Sequence, residues 1–384
     1  MKKKILSLAL VGALVMGGCS DKKSSDTSDK ITIFSYMGGT YEKGLIYNFN
    51  DLNNPTSFLD YETLDKTVLC AMPNCTHTVA GCLANQVGVN PVIYNGYIYW
   101  FTSDIGFDAT PDGHFFYMKT VFYKASLETS EIEKVCEFTD CTVDDWNSNL
   151  VLIGDTLWFI GNDETPPPEN IHDDSWKTTS ETPGAHFMCS INLNTGKYTN
   201  YGKVSRDYLE SSQWTSCNFA LLKGVYNGKL QIEIQYGSDK LMEYDYGQDD
   251  PSEYFIHKNV EFDLETKTAT TTDRYFPAIA RENLYIGVDL EPNSVADLYI
   301  TYNDKDFIIE NTDYDFFLAG EKLFIPSDNV YYDLSDFSRH KMPQEVIDHD
   351  LLRASFYKGD YIFLNSKAQA IKLTEEDLLT LDAE

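Results

Sequence analysis

Three cysteines and one histidine lie within a stretch of 13 residues: Cys70, Cys75, His77 and Cys82. Three thiolates and one imidazole supply the four ligands of a tetrahedral Zn²⁺ site, and a Pro-Asn turn would aim the first two sulfurs at one point. A closed shell of this kind leaves no open position for a substrate, so the metal would be structural. The alternative is a local disulfide, Cys70 to Cys75 or Cys75 to Cys82, with His77 at the surface. The sequence therefore predicts a structural zinc site or a local disulfide.

The other cysteines are compatible with either prediction. The chain has eight cysteines in all, of which Cys19 belongs to the lipidation motif described below. If three bind metal, four remain as two possible pairs: Cys136, Cys141, Cys189 and Cys217. Without the metal, seven remain, and an odd number excludes complete pairing within the chain.

One tryptophan is the candidate for contact with a ligand. Trp100 and Trp158 lie in alternating apolar stretches and are predicted to be core residues. Trp176 lies instead in a polar insertion, residues 162–184, where nothing local requires an aromatic side chain. We therefore predict that Trp176 contacts a ligand at the surface.

Sequence patterns of common catalytic sites are absent. The chain has no Gly-x-Ser-x-Gly elbow, no phosphate-binding loop, no dinucleotide-binding glycine motif and no His-Glu-x-x-His sequence. Acidic clusters occur in the predicted loops, but none has calcium-loop spacing, which favours a solvated acidic surface. The sequence specifies no reaction.

A repeated phrase predicts the elements that must position these residues. In each copy a glycine is followed by alternating apolar and aromatic residues; the copies begin at Gly96, Gly154, Gly228, Gly320 and Gly359, with a degraded copy at Asn283 and a possible first copy at Gly44. Glycine permits the positive φ of a tight turn, and the alternation has the period of a strand. Each copy therefore predicts a β-hairpin.

A second phrase follows several copies of the first. A strand runs into a polar turn that begins at Asp60, Ser126, Asn192, Asp263 or Asp333. Such side chains can accept hydrogen bonds from the turn's own amides. Two hairpins per unit describe a four-stranded blade, and a radial array of such blades is a β-propeller. A sandwich or barrel is the alternative, but it would be hard to close over more than 300 residues of one repeating unit.

We therefore predict an all-β chain, a β-propeller of about seven blades, with six to eight as the range. Residues 31–36 alternate like a strand and would close the ring by joining the last blade. Helix is expected in only two places, at residues 343–352 and after Thr374, which precedes three acidic residues as a helix N-cap would.

The N-terminus has the features of an export signal. Three lysines precede an apolar stretch, residues 5–18, which is too short to span a bilayer comfortably. The stretch ends in Met16-Gly17-Gly18-Cys19, which resembles a bacterial lipobox, although Met16 replaces the usual leucine. An ordinary secretory signal is the alternative. We predict a signal peptide at 1–18, a lipidated Cys19 with a polar tether at 19–30, and the propeller at 31–384.

Charge excludes one class of partner. The chain has 60 acidic and 30 basic residues, and loss of residues 1–18 would change the net charge from −30 to −33. A field of that sign repels phosphate backbones, so we expect no nucleic acid partner.

The cysteine-rich stretch LCAMPNCTHTVAGC, which ends at Cys82, resembles the signature of uncharacterised β-propeller-like surface lipoproteins of Gram-positive anaerobic bacteria. Those proteins also carry a lipobox, a Ser/Asp-rich tether and repeated Gly-x-x-Ile-Tyr phrases, so the resemblance extends over the mature chain. It implies a propeller fold and a location at the cell membrane, but no established activity.

These features together predict a lipid-anchored, extracytoplasmic propeller that binds a protein or glycan through one rim without catalysis. It requires no cofactor, and a structural zinc is the alternative to a local disulfide at the cysteine cluster. Two alternatives remain. The first is a glycan-cleaving enzyme with paired carboxylates near the propeller axis. The second is an accessory or sensory subunit of a neighbouring membrane system.

Overall fold

The computed structural model describes most of the chain from Ile31 onwards. The described residues are 31–34, 40–41, 43–47, 55–70, 74–77, 81–88, 90–110, 113–143, 148–164, 176–177, 184–204, 214–238, 240, 254–290, 295–313, 315–349, 351–365, 367 and 369–379. The predicted signal peptide, Cys19 and the tether lie outside these residues.

The strands form seven consecutive antiparallel sheets, numbered here in chain order. The first described strand is β1 (Ile31–Phe34). Sheet 1 contains β2 (Thr40–Tyr41), β3 (Gly44–Tyr47), β4 (Ser57–Asp60) and β5 (Lys66–Val68). Sheet 2 contains β6 (Val92–Tyr94), β7 (Tyr97–Thr110), β8 (Gly113–Ser126) and β9 (Ile132–Phe138). Sheet 3 contains β10 (Thr142–Val143), β11 (Leu150–Ile153), β12 (Thr156–Asn162), β14 (His186–Asn192) and β15 (Tyr198–Lys203). The short strand β13 (Trp176–Lys177) lies between β12 and β14 in the sequence but pairs with sheet 2.

The remaining sheets follow the same plan. Sheet 4 contains β16 (Trp214–Tyr226), β17 (Lys229–Ser238), β18 (Phe255–Asp263) and β19 (Ala269–Thr272). Sheet 5 contains β20 (Phe276–Arg281), β21 (Leu284–Leu290), β22 (Val295–Tyr302) and β23 (Lys305–Asp313). Sheet 6 contains β24 (Phe317–Ala319), β25 (Lys322–Ile325), β26 (Val330–Asp333) and β27 (Ser338–Lys341). Sheet 7 has three described strands, β28 (Leu351–Tyr357), β29 (Asp360–Asn365) and β30 (Ala370–Thr374).

Both repeated phrases form the turns that the sequence predicts. The glycines of the first phrase have positive φ and lie between the first and second strands of sheets 2, 3, 4, 6 and 7, at Gly96, Gly154, Gly228, Gly320 and Gly359. The second phrase lies between the third and fourth strands. There the Asp263 carboxylate accepts the N–H groups of Glu265 and Thr266, each at 2.8 Å, and Asp60 and Asn192 do the same in their own turns.

The apolar cores lie between neighbouring sheets and show how the sheets are arranged. Separate clusters of buried side chains join sheets 1 and 2, 2 and 3, 3 and 4, 4 and 5, 5 and 6, and 6 and 7. A further cluster joins sheet 7 to sheet 1, with Leu59 and Tyr61 against Ile362 and Leu364. Because every sheet packs against two neighbours, the chain is a closed β-propeller of seven blades. Trp100 and Trp158 are core residues, as predicted.

The junction between the last and first sheets is held by side chains. Tyr61 donates a hydrogen bond from its hydroxyl to Ser355 Oγ at 2.9 Å, and Lys372 Nζ donates one to the Glu62 carbonyl at 2.8 Å. Among the residues that the structure describes, no strand is shared between sheets 7 and 1.

The prediction that residues 31–36 join the last blade is wrong. β1 pairs with β11, the first strand of sheet 3, in the register Ile31 to Ile153 and Phe34 to Leu150. Phe34 packs into the core between sheets 2 and 3, and the isoleucines of β1 pack against the core between sheets 3 and 4. The alternating side chains of β1 therefore find an apolar core on each face of sheet 3.

Sheets 4 and 5 are joined by backbone hydrogen bonding between their first strands. Their first strands, β16 and β20, are hydrogen-bonded in parallel at Gly224 and Ala280, which joins the two sheets into one of eight strands. Gly224 has φ +150°, and a Cβ at this position would overlap the Ala280 carbonyl oxygen. Only glycine fits this approach.

The two rims of the ring differ. In an antiparallel four-stranded blade, the turns of both repeated phrases lie on one rim, and the second-to-third-strand and inter-sheet connections lie on the other. We call the latter the insertion rim. It carries the tip of the β7–β8 hairpin, the long connection from β12 to β14 and the connection from β17 to β18.

Helices are few and short. Both predicted helices are present, as α2 (Gln344–Ile347) and α3 (Glu375–Leu379), but the first is shorter than predicted, because Leu351 and Leu352 belong to β28. Thr374 caps α3 by accepting the Asp377 N–H at 3.2 Å. The sequence does not predict α1 (Leu83–Gln86) or the 3₁₀ turn Pro326–Asp328. No helix among the described residues is both long and apolar enough to cross a bilayer.

Candidate metal centre

The four predicted ligands lie in the connection from sheet 1 to sheet 2, on the insertion rim. The backbone of Thr56 forms hydrogen bonds with both ends of this connection. Leu69 donates its N–H to the Thr56 carbonyl at 3.0 Å, and Thr56 donates its own N–H to the Ala84 carbonyl at 2.9 Å. Cys70 and Cys82 follow and precede these anchored residues, so the two ends of the loop are fixed next to each other.

Left-handed turns fold the loop so that its ligand atoms converge. Asn74 has φ +58° and His77 has φ +60°, in the region that Asn and His adopt more readily than most residues. The three sulfurs and one imidazole nitrogen all lie within 4.8 Å of one another, and His77 Nδ1 is 3.6 Å from Cys82 Sγ. Four ligands around Zn²⁺ would lie roughly 3.5 to 4 Å apart. Small side-chain adjustments would bring this set to a common centre.

The environment favours thiolate at one ligand. His77 donates its backbone N–H to Cys75 Sγ at 3.3 Å, and this hydrogen bond lowers the pKa of the Cys75 thiol. Contacts with the sulfurs of Cys70 and Cys82 lower the same pKa further, whereas partial burial opposes them. Thiolate is the form of cysteine that binds metals.

The sequence left two interpretations of this loop open, and the arrangement favours metal over disulfide. The sulfurs of Cys70, Cys75 and Cys82 are unbridged, and His77 faces them instead of lying apart at the surface. Cys82 is fully buried and the other three ligands are half-buried, so the cluster could bind a metal ion in a shell partly protected from water.

A metal at this point would join two blades. Leu69, Leu83 and Val87 flank the cluster and are buried against Ile98 and Trp100 of sheet 2. The ligands therefore border the core between sheets 1 and 2. An ion bound here would fix the inter-sheet connection where it crosses that core.

Two of the other cysteines form a cluster that the sequence does not reveal. Cys141 and Cys189 are buried thiols, each 3.4 Å from the hydroxyl of Tyr198, and that hydroxyl donates to the Asp140 carboxylate. Gly161 lies beside both sulfurs and leaves room for them. Burial raises the pKa of Cys189 well above its usual value, which keeps this thiol protonated. Cys136 is also a free thiol, whereas the side chain of Cys217 lies outside the described atoms.

Trp176 lies on the insertion rim, in β13. This strand pairs in parallel with β8, with Trp176 opposite His114, next to the tip of the β7–β8 hairpin. The two described residues of the sheet 3 insertion thus lie beside β8 of sheet 2. The side chain of Trp176 lies outside the described atoms.

The strands on the axis side of the ring carry no carboxylate. The first strands of the sheets lie closest to the axis, as the pairing of β16 with β20 shows, and β1 lies on the axis side of β11. None of β1, β2, β6, β11, β16, β20, β24 and β28 contains Asp or Glu. Their charged residues are Lys223, Arg281 and Arg353. These strands therefore provide no carboxylate pair for glycan cleavage.

No family model and no curated protein matches the chain. Among solved structures, it is similar to dipeptidyl peptidase 4 of Porphyromonas gingivalis (8% identity, 95% of this chain and 54% of that chain, TM-score 0.42). It is also similar to an acylaminoacyl peptidase of Pyrococcus horikoshii (9% identity, 71% of this chain and 42% of that chain, TM-score 0.38). A third similar structure is the β-propeller domain of the Trilobed protease of Pyrococcus furiosus (10% identity, 71% of this chain and 76% of that chain, TM-score 0.33).

The chain spans about half the length of the two peptidases or less. At these identities and TM-scores the similarity says nothing about activity. The fold assignment rests on the strand pairing and on the cores between the sheets.

Proposed function

We propose that this chain is a lipid-anchored, extracytoplasmic propeller that binds a protein or glycan ligand through its insertion rim and catalyses no reaction, with Zn²⁺ as a structural ion at the cysteine-histidine cluster. The observation that carries this proposal is the difference between the rims. One rim has tight turns of a few residues, whereas the other gathers the long connections, β13 and the metal-centre candidate. Propellers commonly bind ligands through such loops.

The absence of catalytic motifs supports binding rather than catalysis. The sequence contains none of the nucleophile, phosphate-loop or metalloprotease patterns sought above. The axis-side strands contribute no acidic residue, so they do not favour the glycan-cleaving alternative.

Photo-crosslinking on intact cells tests the choice of rim. A benzophenone amino acid at position 176 should give a discrete crosslinked adduct, because this position lies in the strand that the insertion adds beside sheet 2. The matched control carries the same amino acid at Lys358, which is exposed in a tight turn on the opposite rim. Adducts from position 358 alone, or none from either position, would contradict binding through the insertion rim.

The anchor is tested by cell fractionation. Cys19→Ala removes the sulfur that would carry the lipid, so the protein should leave the membrane fraction or accumulate unprocessed. Mass spectrometry of the wild-type N-terminus should find a diacylated cysteine. A processed Cys19→Ala protein that stays in the membrane fraction would refute lipid anchoring.

A further inference from the structure

A stacked pair of tyrosines forms part of an exposed apolar patch on sheet 5. The rings of Tyr275 and Tyr299 lie nearly parallel, with their centroids 3.9 Å apart and 14° between their planes. Tyr299 lies opposite Ile308 in the pairing of β22 with β23. Tyr275 is 41% exposed and Ile308 is 49% exposed, so two of the five strongly exposed large apolar side chains among the described residues lie in one row.

The row lies on the face of sheet 5 that is turned towards sheet 4. Ile286 and Val288 of β21 pack into the core shared with sheet 6, so Gly287, between them, lies on the opposite face. Tyr299 pairs with Gly287 and shares that face. The cluster of buried apolar side chains between sheets 4 and 5 contains, among the described residues, Tyr226, Ala280 and Tyr285. This small core does not extend to the outer strands of sheet 5, where the row lies.

Tyr275 is held in place although its side chain is exposed. Tyr285 donates a hydrogen bond from its hydroxyl to the Tyr275 carbonyl at 2.5 Å, and the same hydroxyl accepts one from Asn259 Nδ2 at 2.9 Å. Gly287 makes room for Tyr275, because an added Cβ there would lie 3.0 Å from Tyr275 Cβ. A tyrosine that is fixed before binding loses little conformational entropy when a partner arrives. The patch is therefore preorganised for contact.

Two carboxylates give the patch a negative charge. Asp289 and Asp297 pair with each other across β21 and β22, on the same face as Tyr299. Neither forms an ion pair with another of the described residues. A hydrogen bond with Tyr275 raises the pKa of Tyr299 to about 12, and burial and the charges of both carboxylates act in the same direction. An aromatic surface beside unpaired carboxylates favours a cationic ligand.

A neighbouring arginine indicates which cation the surface suits. The guanidinium group of Arg274 lies over the rings of Tyr226 and Tyr285, at 4.9 and 5.4 Å from their centroids. A guanidinium group stacks flat on an aromatic ring and can pair with a carboxylate through two parallel hydrogen bonds, which an ammonium group does not do. The chain thus already combines guanidinium with tyrosine at this junction, and the Tyr275–Tyr299 pair offers a second such surface beside free carboxylates.

We propose that this patch binds an arginine side chain of a partner protein, with the guanidinium group stacked on the tyrosine pair and paired with Asp289 or Asp297. The row would contact the apolar part of the partner through Ile308. This inference deepens the proposed function, because it names the chemistry of the partner, and it rests on the binding role proposed above.

Isothermal titration calorimetry of the purified full-length protein at low salt tests the site with two synthetic peptides. One is acetylated, amidated Gly-Arg-Gly-Arg-Gly, and the other has lysine in place of both arginines and the same charge. We expect the arginine peptide to bind saturably, and about threefold more tightly than the lysine peptide, because only guanidinium can stack and pair in one plane.

Substitutions of Tyr275 test the stacking. Tyr275→Ala should weaken binding of the arginine peptide about fivefold or more, whereas Tyr275→Phe keeps the ring and should stay within about twofold of the wild type. The matched control is Phe356→Ala, which removes a 45% exposed ring from β28 of sheet 7 and should also stay within about twofold. Urea unfolding of each variant verifies that the fold is retained.

Asp297→Asn tests the contribution of charge. The carboxylate accepts the Asn311 N–H at 2.9 Å, and the carboxamide keeps an oxygen that can do the same. The variant should bind the arginine peptide about threefold more weakly and with a smaller dependence on salt. Glu128→Gln removes one charge from an exposed turn of sheet 2 and should leave the affinity unchanged.

Four results would overturn the proposal. They are no saturable binding of the arginine peptide to the wild type, equal affinities for the two peptides, equal losses in Tyr275→Ala and Phe356→Ala, and binding of the neutral sugar chitohexaose that Tyr275→Ala abolishes, which would assign the patch to a glycan. None of these measurements involves position 176. A crosslink there can therefore succeed while peptide binding fails, which distinguishes failure of this inference from failure of the proposed function.

Discussion

Cys75→Ser is expected to remove bound zinc from the purified protein and to lower its free energy of unfolding by about 4 kcal/mol, the size of loss that accompanies a missing structural metal. Serine cannot supply the thiolate that the His77 backbone N–H and the neighbouring sulfurs stabilise at this position. Three remaining ligands leave the shell incomplete. Elemental analysis and urea unfolding measure the two effects.

Cys136→Ser is the matched control for this prediction. Cys136 is a free, half-buried thiol in sheet 2, outside the cluster, and burial raises its pKa to about 11, so the thiol is protonated at pH 7. The variant should keep one equivalent of zinc and lose about 1 kcal/mol or less, as for a mild change at a partly buried site. Wild-type protein without metal, with a mass lower by about 2 Da for each bridge, would assign the cluster to disulfide chemistry instead.

Gly224→Ala is expected to destabilise the ring by at least about 3 kcal/mol, because it combines backbone strain with a backbone clash. The residue has φ +150°, and the new Cβ would overlap the Ala280 carbonyl oxygen and lie 3.0 Å from the Ile33 side chain. Relief requires sheets 4 and 5 to separate where their first strands are hydrogen-bonded. Equilibrium unfolding in urea gives the magnitude.

Gly228→Ala is the matched control, because it introduces backbone strain without a steric clash. Gly228 has φ +73° in the turn after β16, and no atom lies within 4 Å of the position that an added Cβ would take. This variant should cost only about 1–2 kcal/mol, the penalty of a left-handed conformation. Equal losses in the two variants would mean that sheets 4 and 5 do not approach each other as described.

Local patterns predicted the hairpins and the metal-centre candidate well. The turn at Asp263 needs only residues up to three positions away, and the four metal ligands lie on one loop. Propensity and spacing report such short-range features directly. The prediction of about seven blades is confirmed, because six of the seven sheets carry at least one of the two repeated turns.

Features that depend on distant parts of the chain could not be predicted in this way. The alternation of residues 31–34 predicts a strand, but its partner depends on which sheet offers an apolar core on each face. Cys141 and Cys189 likewise meet only because β10 and β14 flank β12.

The position of β1 determines how the ring would carry a mechanical load. An anchor connected through residues 19–30 would pull on Ile31, and the strain would pass along the β1–β11 hydrogen bonds into sheet 3. Extensive cores hold sheet 3 on both faces. The junction of sheets 7 and 1, which side chains hold together, lies outside this force path. Tension from the membrane would therefore act on sheet 3, which has a core on each face, and not directly on the junction of sheets 7 and 1.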